Sequence, residues 1–151
     1  KYFHLHLTKN CIYLLNLGIK NQSTYNEALA RELGADEYGM KQYWMVFLKT
    51  GSNTTADTPI MQKAMSSHMQ NIHNMSDAGI LVAAGPFGKN QENYRGVYIF
   101  EHLDESELRA WLQKDNAVEI GIFSFEILPW YGSAALPKYL DYHKQIEKTK
   151  P

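Results

Sequence analysis

Residues 60–87 read as one helix delivered straight into one strand, and few arrangements accept that unit beside the segments flanking it. Within IMQKAMSSHMQNIHNMSDAG the apolar side chains Met61, Met65, Ile72 and Met75 recur at the three-and-four spacing of one helical face. Gly79 supplies a stop able to take positive φ, and ILVAAGPF follows as an apolar run. His68 falls inside the stripe, three residues after Met65 and four before Ile72. A histidine there faces the packed side of the helix, either core or pocket, rather than bulk water.

The remaining segments arrange themselves around this unit. Thr24 and Glu27 have the spacing of a capping box opening a helix over Tyr25–Leu33, closed by Gly34. Tyr43–Lys49 (YWMVFLK) is a nearly continuous apolar run, the pattern of a strand central in a sheet. The polar loop TGSNTTADT is long for a strand-to-helix connection. It leads to Thr58–Pro59, read as an N-cap with proline in the first helical position. Strands are expected at Ile80–Ala84 and Tyr94–Glu101, and the short connection between them requires an antiparallel hairpin. Asp104 and Glu107 form a second capping box, with Leu103 and Leu108 as its hydrophobic staple. The helix ELRAWLQKD then places Leu108, Trp111, Leu112 and Asp115 on a single face, and Asn116–Gly121 allows a further turn. A last core strand is expected over Phe123–Leu128, closed by Pro129, followed by a tail with a modest amphipathic helix carrying Leu140, His143 and Ile146.

The order strand, helix, strand, strand, helix, strand, with right-handed crossovers, gives a ferredoxin-like α+β sandwich. Its four-stranded antiparallel sheet has both helices on one face. The first strand is apolar on both faces, with Trp44, Val46 and Leu48 on one and Tyr43, Met45 and Phe47 on the other. A sheet covered on one side only needs a partner for the second face, so a homodimer through that face is expected. The corresponding division is an N-terminal extension with a short helix over 1–41, the core domain over 42–132 and a helical tail over 133–151.

Composition removes several classes of function. A net charge of −1, with basic residues scattered, leaves no electrostatic footprint for nucleic acid or an anionic membrane. No stretch reaches the roughly 18 apolar residues that span a bilayer. Cys11 is the only cysteine, so neither a disulfide framework nor a cysteine metal site arises. His68 and His73 lie about 140° apart around a helix and cannot face one ion, so no metal is expected. Dinucleotide, P-loop, nucleophile-elbow and zincin motifs are all missing, and no cofactor is expected. Tyr2–Leu7 alternates like a strand, and Cys11–Leu17 is a short apolar run with no small-x-small cleavage site after it. A cytoplasmic location is expected, with export the alternative if residues 1–22 belong to a leader.

The stretch SSHMQNIHNMSDAGILVAAGPF resembles the signature of the YCII-related family: a histidine near the middle of the first core helix, a glycine before the second strand, then a Gly-Pro turn. KDNAVEIGIFSFEILPW is similar to the family's second signature, with Asn116 where the aspartate is usually followed by proline. YNEALARELGADEYGMKQYWMVFLKTG is similar to the leader of one branch. The resemblance covers roughly residues 25–130 and implies a dimeric ferredoxin-like α+β barrel. It also implies that His68 and Asp115 form an active-site pair, and one branch of the family resembles dehydrochlorinases acting on chlorinated aromatic compounds.

The residues support such chemistry independently. A buried carboxylate needs a partner, and beside an imidazole it would fix the ring's tautomer and leave the other nitrogen free for proton transfer. The competing reading is a satisfied core pair. Arg95 is a candidate to hold an anionic substrate group, against a solvated edge arginine. Gly85, Pro86 and Phe87 are candidates for the pocket mouth, against a plain turn, and Trp44 for an apolar wall, against core or dimer packing. Two functions follow: a cofactor-independent lyase or isomerase with a His-Asp acid–base pair, or a non-catalytic dimeric module binding a small ligand in the same cleft.

Overall fold

The computed structural model describes residues 24–149. The readings of Tyr2–Leu7, of Cys11–Leu17 and of a leader over 1–22 lie outside these residues. The elements are α1 (Glu27–Glu32), β1 (Met40–Thr50), α2 (Thr58–Asp77), β2 (Leu81–Pro86), β3 (Tyr94–Phe100), α3 (Glu105–Gln113), α4 (Asn116–Glu119) and β4 (Phe123–Ser133). A 3-10 turn (Leu136–Lys138) and α5 (Tyr139–Ile146) follow. The strands pair antiparallel in the order β2-β3-β1-β4. With α2 and α3 packed on one face, this is the ferredoxin-like α+β sandwich that the segment order demands.

Local chemistry explains the boundaries. Asp104 and Glu107 form the full reciprocal capping box at the start of α3. At α2 the cap is Asp57, whose side chain accepts from the Ile60 N–H at 3.0 Å, one residue earlier than the expected Thr58. Asn26 rather than Thr24 caps α1. Gly79 leaves α2 at φ 70°, a conformation that a Cβ would strain. Pro129 does not end β4, which runs on to Ser133 with Pro129 opposite Trp44. β4 is an edge strand, and a proline there removes no ladder hydrogen bond to a further neighbour.

The core lies between the sheet and the two long helices. Val46 and Leu48 from β1, and Tyr98 and Phe100 from β3, meet Met75 of α2 and Leu108 and Leu112 of α3. Each such side chain contributes about 1.5–3 kcal/mol on burial. The period-two alternation turns Met45, Phe47, Val97 and Ile99 to the opposite face, where they are only half-buried. One end of that face is covered by the segment after β4: the Tyr43 hydroxyl donates to the Ser133 carbonyl at 2.8 Å, and Ala134 is fully buried. The tail then reaches the other sheet edge, where the Tyr139 hydroxyl donates to the Val82 carbonyl at 2.6 Å. Among the described residues no helix is long and apolar enough to cross a membrane.

Candidate active site

The inward face of α2 presents Ala64, His68, Asn71 and Met75 at spacings of four, three and four. Asn71 fixes this face against the next helix by donating from Nδ2 to the Trp111 carbonyl at 3.2 Å. One turn earlier, His68 is 7% exposed and its Nδ1 lies 2.5 Å from Oδ2 of Asp115, itself 3% exposed.

Asp115 reaches His68 in a way that differs from the helical-face expectation. α3 ends at Gln113, Lys114 is its C-cap, and Asp115 is the extended N-cap of the separate short helix α4. Its Oδ1 accepts from the Ala117 N–H at 2.9 Å while Oδ2 meets the imidazole. The cap holds the carboxylate rigidly, since one oxygen is fixed by backbone before the other meets a side chain. The far end of α4 is held by the loop before α2. Asn53 donates through Nδ2 to the Ile120 carbonyl at 3.0 Å and through its backbone N–H to Gly121 at 2.9 Å. The long polar loop thus clamps the element that carries Asp115.

As a carboxylate, Asp115 only accepts, so the shared proton sits on His68 Nδ1. Nε2 is then the free lone pair. It lies 3.3 Å from the Tyr98 hydroxyl, and the Phe123 ring stands edge-on to the imidazole at 5.1 Å. Burial above all, and then the negative charge of Asp115, pushes the Tyr98 hydroxyl well above the usual tyrosine range, so it remains a donor. Sequence reading did not single out Tyr98. The signal was its position two residues beyond Gly96 on β3, which puts it on the helix-facing side, but its partner emerges only from the strand register.

His68 and Tyr98 line a cleft of about 310 Å³. Its walls are apolar, from Leu48, Met65, Met69, Ile72 and Phe123, and Gly85, Pro86 and Arg95 line it as well. Arg95 is exposed, and its Nε donates to Thr50 Oγ1 at 2.8 Å, which orients the guanidinium. Two expected residues lie elsewhere. Phe87 stacks on Phe47 (centroids 6.3 Å, planes 8° apart) and neighbours Tyr94 on the open sheet face, because strand alternation past Pro86 turns it away from α2. Trp44 sits at the other end of the sheet, its Nε1 donating to the Leu103 carbonyl at 3.0 Å, beside a separate hollow near Glu101 and His102. Among the described residues no cluster of three or more His, Cys, Asp or Glu is arranged to hold a metal ion.

The sequence model of the YCII-related domain matches residues 43–131, more than half of the chain. The chain belongs to the YCII-related family. His68, Asp115 and Tyr98 all fall within the matched domain. Two solved structures are similar to this YCII-related chain. One is 5-chloro-2-hydroxyhydroquinone dehydrochlorinase from Burkholderia phenoliruptrix AC1100, in complex with 2,5-dihydroxybenzoquinone. It has 13% identity and a TM-score of 0.44, with 58% of this chain and 92% of that chain covered. The other is a dimeric protein of unknown function and ferredoxin-like fold from Bacteroides fragilis NCTC 9343. It has 14% identity and a TM-score of 0.42, with 61% and 95% covered. Comparison with curated proteins finds no match.

Proposed function

We propose that this chain is a cofactor-independent small-molecule enzyme of the lyase or isomerase type, in which His68 moves a proton and Asp115 orients it. The observation that carries this reading is the 2.5 Å contact between His68 Nδ1 and Asp115 Oδ2, made by a histidine that itself lines an open, largely apolar cleft. A core pair sealed on all sides would have no access to a ligand; here His68 is among the residues lining a space large enough for one. When Nε2 takes a proton, the imidazolium is stabilised by the carboxylate already bonded to Nδ1, and no rearrangement is needed. Proton transfer by a positioned group of this kind contributes typically ~10²–10⁴-fold. Gly85 and Pro86 shape the mouth, and Arg95 there holds an anionic group on the ligand.

The working unit in this reading is a homodimer. Met45, Phe47, Val97 and Ile99 on the uncovered sheet face, with the 41%-exposed Leu128, are the surface that a second copy would bury. Sedimentation of the wild type and Phe47→Asp tests this. A monomeric wild type would end the dimer reading.

The catalytic reading is tested by a thermal-shift screen of small aromatic and lactone-type compounds, with hits followed for turnover by NMR on the wild type and His68→Ala. Hits are expected to stabilise both proteins and to be converted by the wild type alone. Binding without conversion by the wild type would leave a ligand-binding module, and equal conversion by His68→Ala would remove the histidine from the chemistry.

A further inference from the structure

The His68–Asp115 pair leaves one polar group of the cleft without a task. Tyr98 is buried and lines the cleft, and its hydroxyl lies beside His68 Nε2, which is its sole hydrogen-bond partner among the described residues. Backbone pairing fixes the tyrosine in place, with Tyr98 opposite Val46 on one side and Ala84 on the other and its ring edge-on to Phe100 at 5.7 Å. The cleft therefore offers a base and a hydrogen-bond donor side by side, 3.3 Å apart, on two residues that line a space with largely apolar walls.

We propose that His68 and Tyr98 act together on carbon acids: the substrate is a small, largely apolar carbonyl compound whose oxygen accepts from Tyr98 while Nε2 removes a proton from the adjacent carbon. This rests on His68 being the proton shuttle, and adds to it a substrate class and a second catalytic residue. The spacing supports the assignment. A carbonyl oxygen and its neighbouring carbon lie two bonds apart, about 2.4 Å from standard bond lengths. A donor and a base 3.3 Å from each other can address both atoms from one side. A substrate oxygen entering the cleft takes the Tyr98 hydrogen bond and frees the Nε2 lone pair in the same movement.

The step balances without a co-reactant. The C–H electron pair becomes the new carbon–carbon π bond, the carbonyl π pair moves to oxygen, and the proton passes to Nε2. The resulting enolate oxygen is held by the Tyr98 O–H and the imidazolium by Asp115. Returning the proton to another carbon isomerises the substrate, and expulsion of a β-substituent with its electron pair completes an elimination. The donor must stay a neutral hydroxyl to serve an oxyanion, and the burial of Tyr98 keeps it so. Met65, Met69 and Ile72 select against heavily hydroxylated compounds, whose groups would find no partners on those walls. The cleft volume corresponds to about ten water molecules, enough for a fused two-ring ketone.

The test follows deuterium incorporation into 2-tetralone in D2O by proton NMR, with binding measured separately by thermal shift. The wild type is expected to accelerate exchange beside the carbonyl. Tyr98→Phe is expected to slow it about 10²–10³-fold, a larger loss than its weakening of binding, with the melting temperature little changed, and His68→Ala to fall to the buffer rate. A wild type no faster than buffer overturns the carbon-acid assignment. Tyr98→Phe as fast as the wild type overturns the role of the tyrosine and leaves the histidine reading standing. His68→Ala as fast as the wild type overturns both. Absorbance of bound 2-naphthol, an enolate analogue, gives a reading independent of any variant's folding: wild type is expected to bind it as the naphtholate, and binding wholly as the neutral naphthol counts against the pair.

Discussion

Gly51 and Gly121 approach so closely that a Cβ on Gly51 would lie 2.1 Å from the Gly121 carbonyl oxygen. The contact is backbone against backbone, so no side-chain rotation relieves it. The Gly51 N–H also donates to the Ile122 carbonyl at 2.8 Å, which docks the loop on the chain leaving α4. Gly51→Ala is expected to destabilise by about 1–3 kcal/mol as an overpacking change, toward the upper end because main chain must move. Urea denaturation reads this directly, and an unchanged midpoint would show that the loop can shift freely from α4.

Asp115 divides its two oxygens between the Ala117 N–H and His68 Nδ1, so its two obvious variants should behave differently. Asparagine caps a helix as well as aspartate does. Asp115→Asn is therefore expected to keep the fold, with a melting temperature close to the wild type, while turnover of any substrate found falls about 10²-fold or more. Asp115→Ala loses the cap and leaves Nδ1 buried without an acceptor, at a cost of about 2–4 kcal/mol. If both variants lost stability equally and activity equally, the carboxylate would be structural.

How legible this site was depends on which interactions are local in sequence. The Asp104–Glu107 box and the Gly79 stop are decided within a few residues, and the structure keeps both. His68 could be read because a polar residue inside an apolar stripe has a fixed direction. Asp115 was reached by a spacing argument that continues α3 two residues beyond its end at Gln113. The physical cause of its position is its preference for an N-cap, a signal that the Leu108–Trp111–Leu112 stripe obscured. Tyr98 is legible only through pairing with β1 and β2, and Phe87 fell on the wrong face because the expected strand stopped at Ala84 whereas β2 runs on to Pro86.

Stability should fall in alkali, and Tyr98 should account for part of the slope. An unfolded tyrosine loses its proton near pH ~10. Burial, and then the Asp115 charge, holds folded Tyr98 well above that value, and burial followed by the Glu101 charge pushes Tyr43 up to about 12. Above pH ~10 the unfolded chain therefore binds fewer protons than the native one, and stability declines as pH rises. Below that pH both contributions are fully present. Urea midpoints of the wild type and Tyr98→Phe, compared between about pH 9 and about pH 11, should show a shallower decline in the variant. Parallel declines would mean that the hydroxyl titrates normally in the folded protein.

Asn116 stands where the family signature usually has proline, and the structure gives that position a definite meaning. It is the first helical residue of α4, directly after the Asp115 cap. Proline suits this position because the N–H there has no helical acceptor and the ring presets φ. The residue before a proline must be extended, and Asp115 already sits at φ −76°, ψ 114°. Asparagine contributes a 3.2 Å hydrogen bond from Nδ2 to Glu119 Oε2, on the exposed side where it is worth little. Asn116→Pro is therefore expected to stabilise by about 0.4–1 kcal/mol, acting on the unfolded chain. The His68–Asp115 contact and the rate of 2-tetralone exchange should be unaffected. Denaturation midpoints decide it: a loss of stability would mean that α4 needs the backbone freedom of asparagine to set its cap against His68.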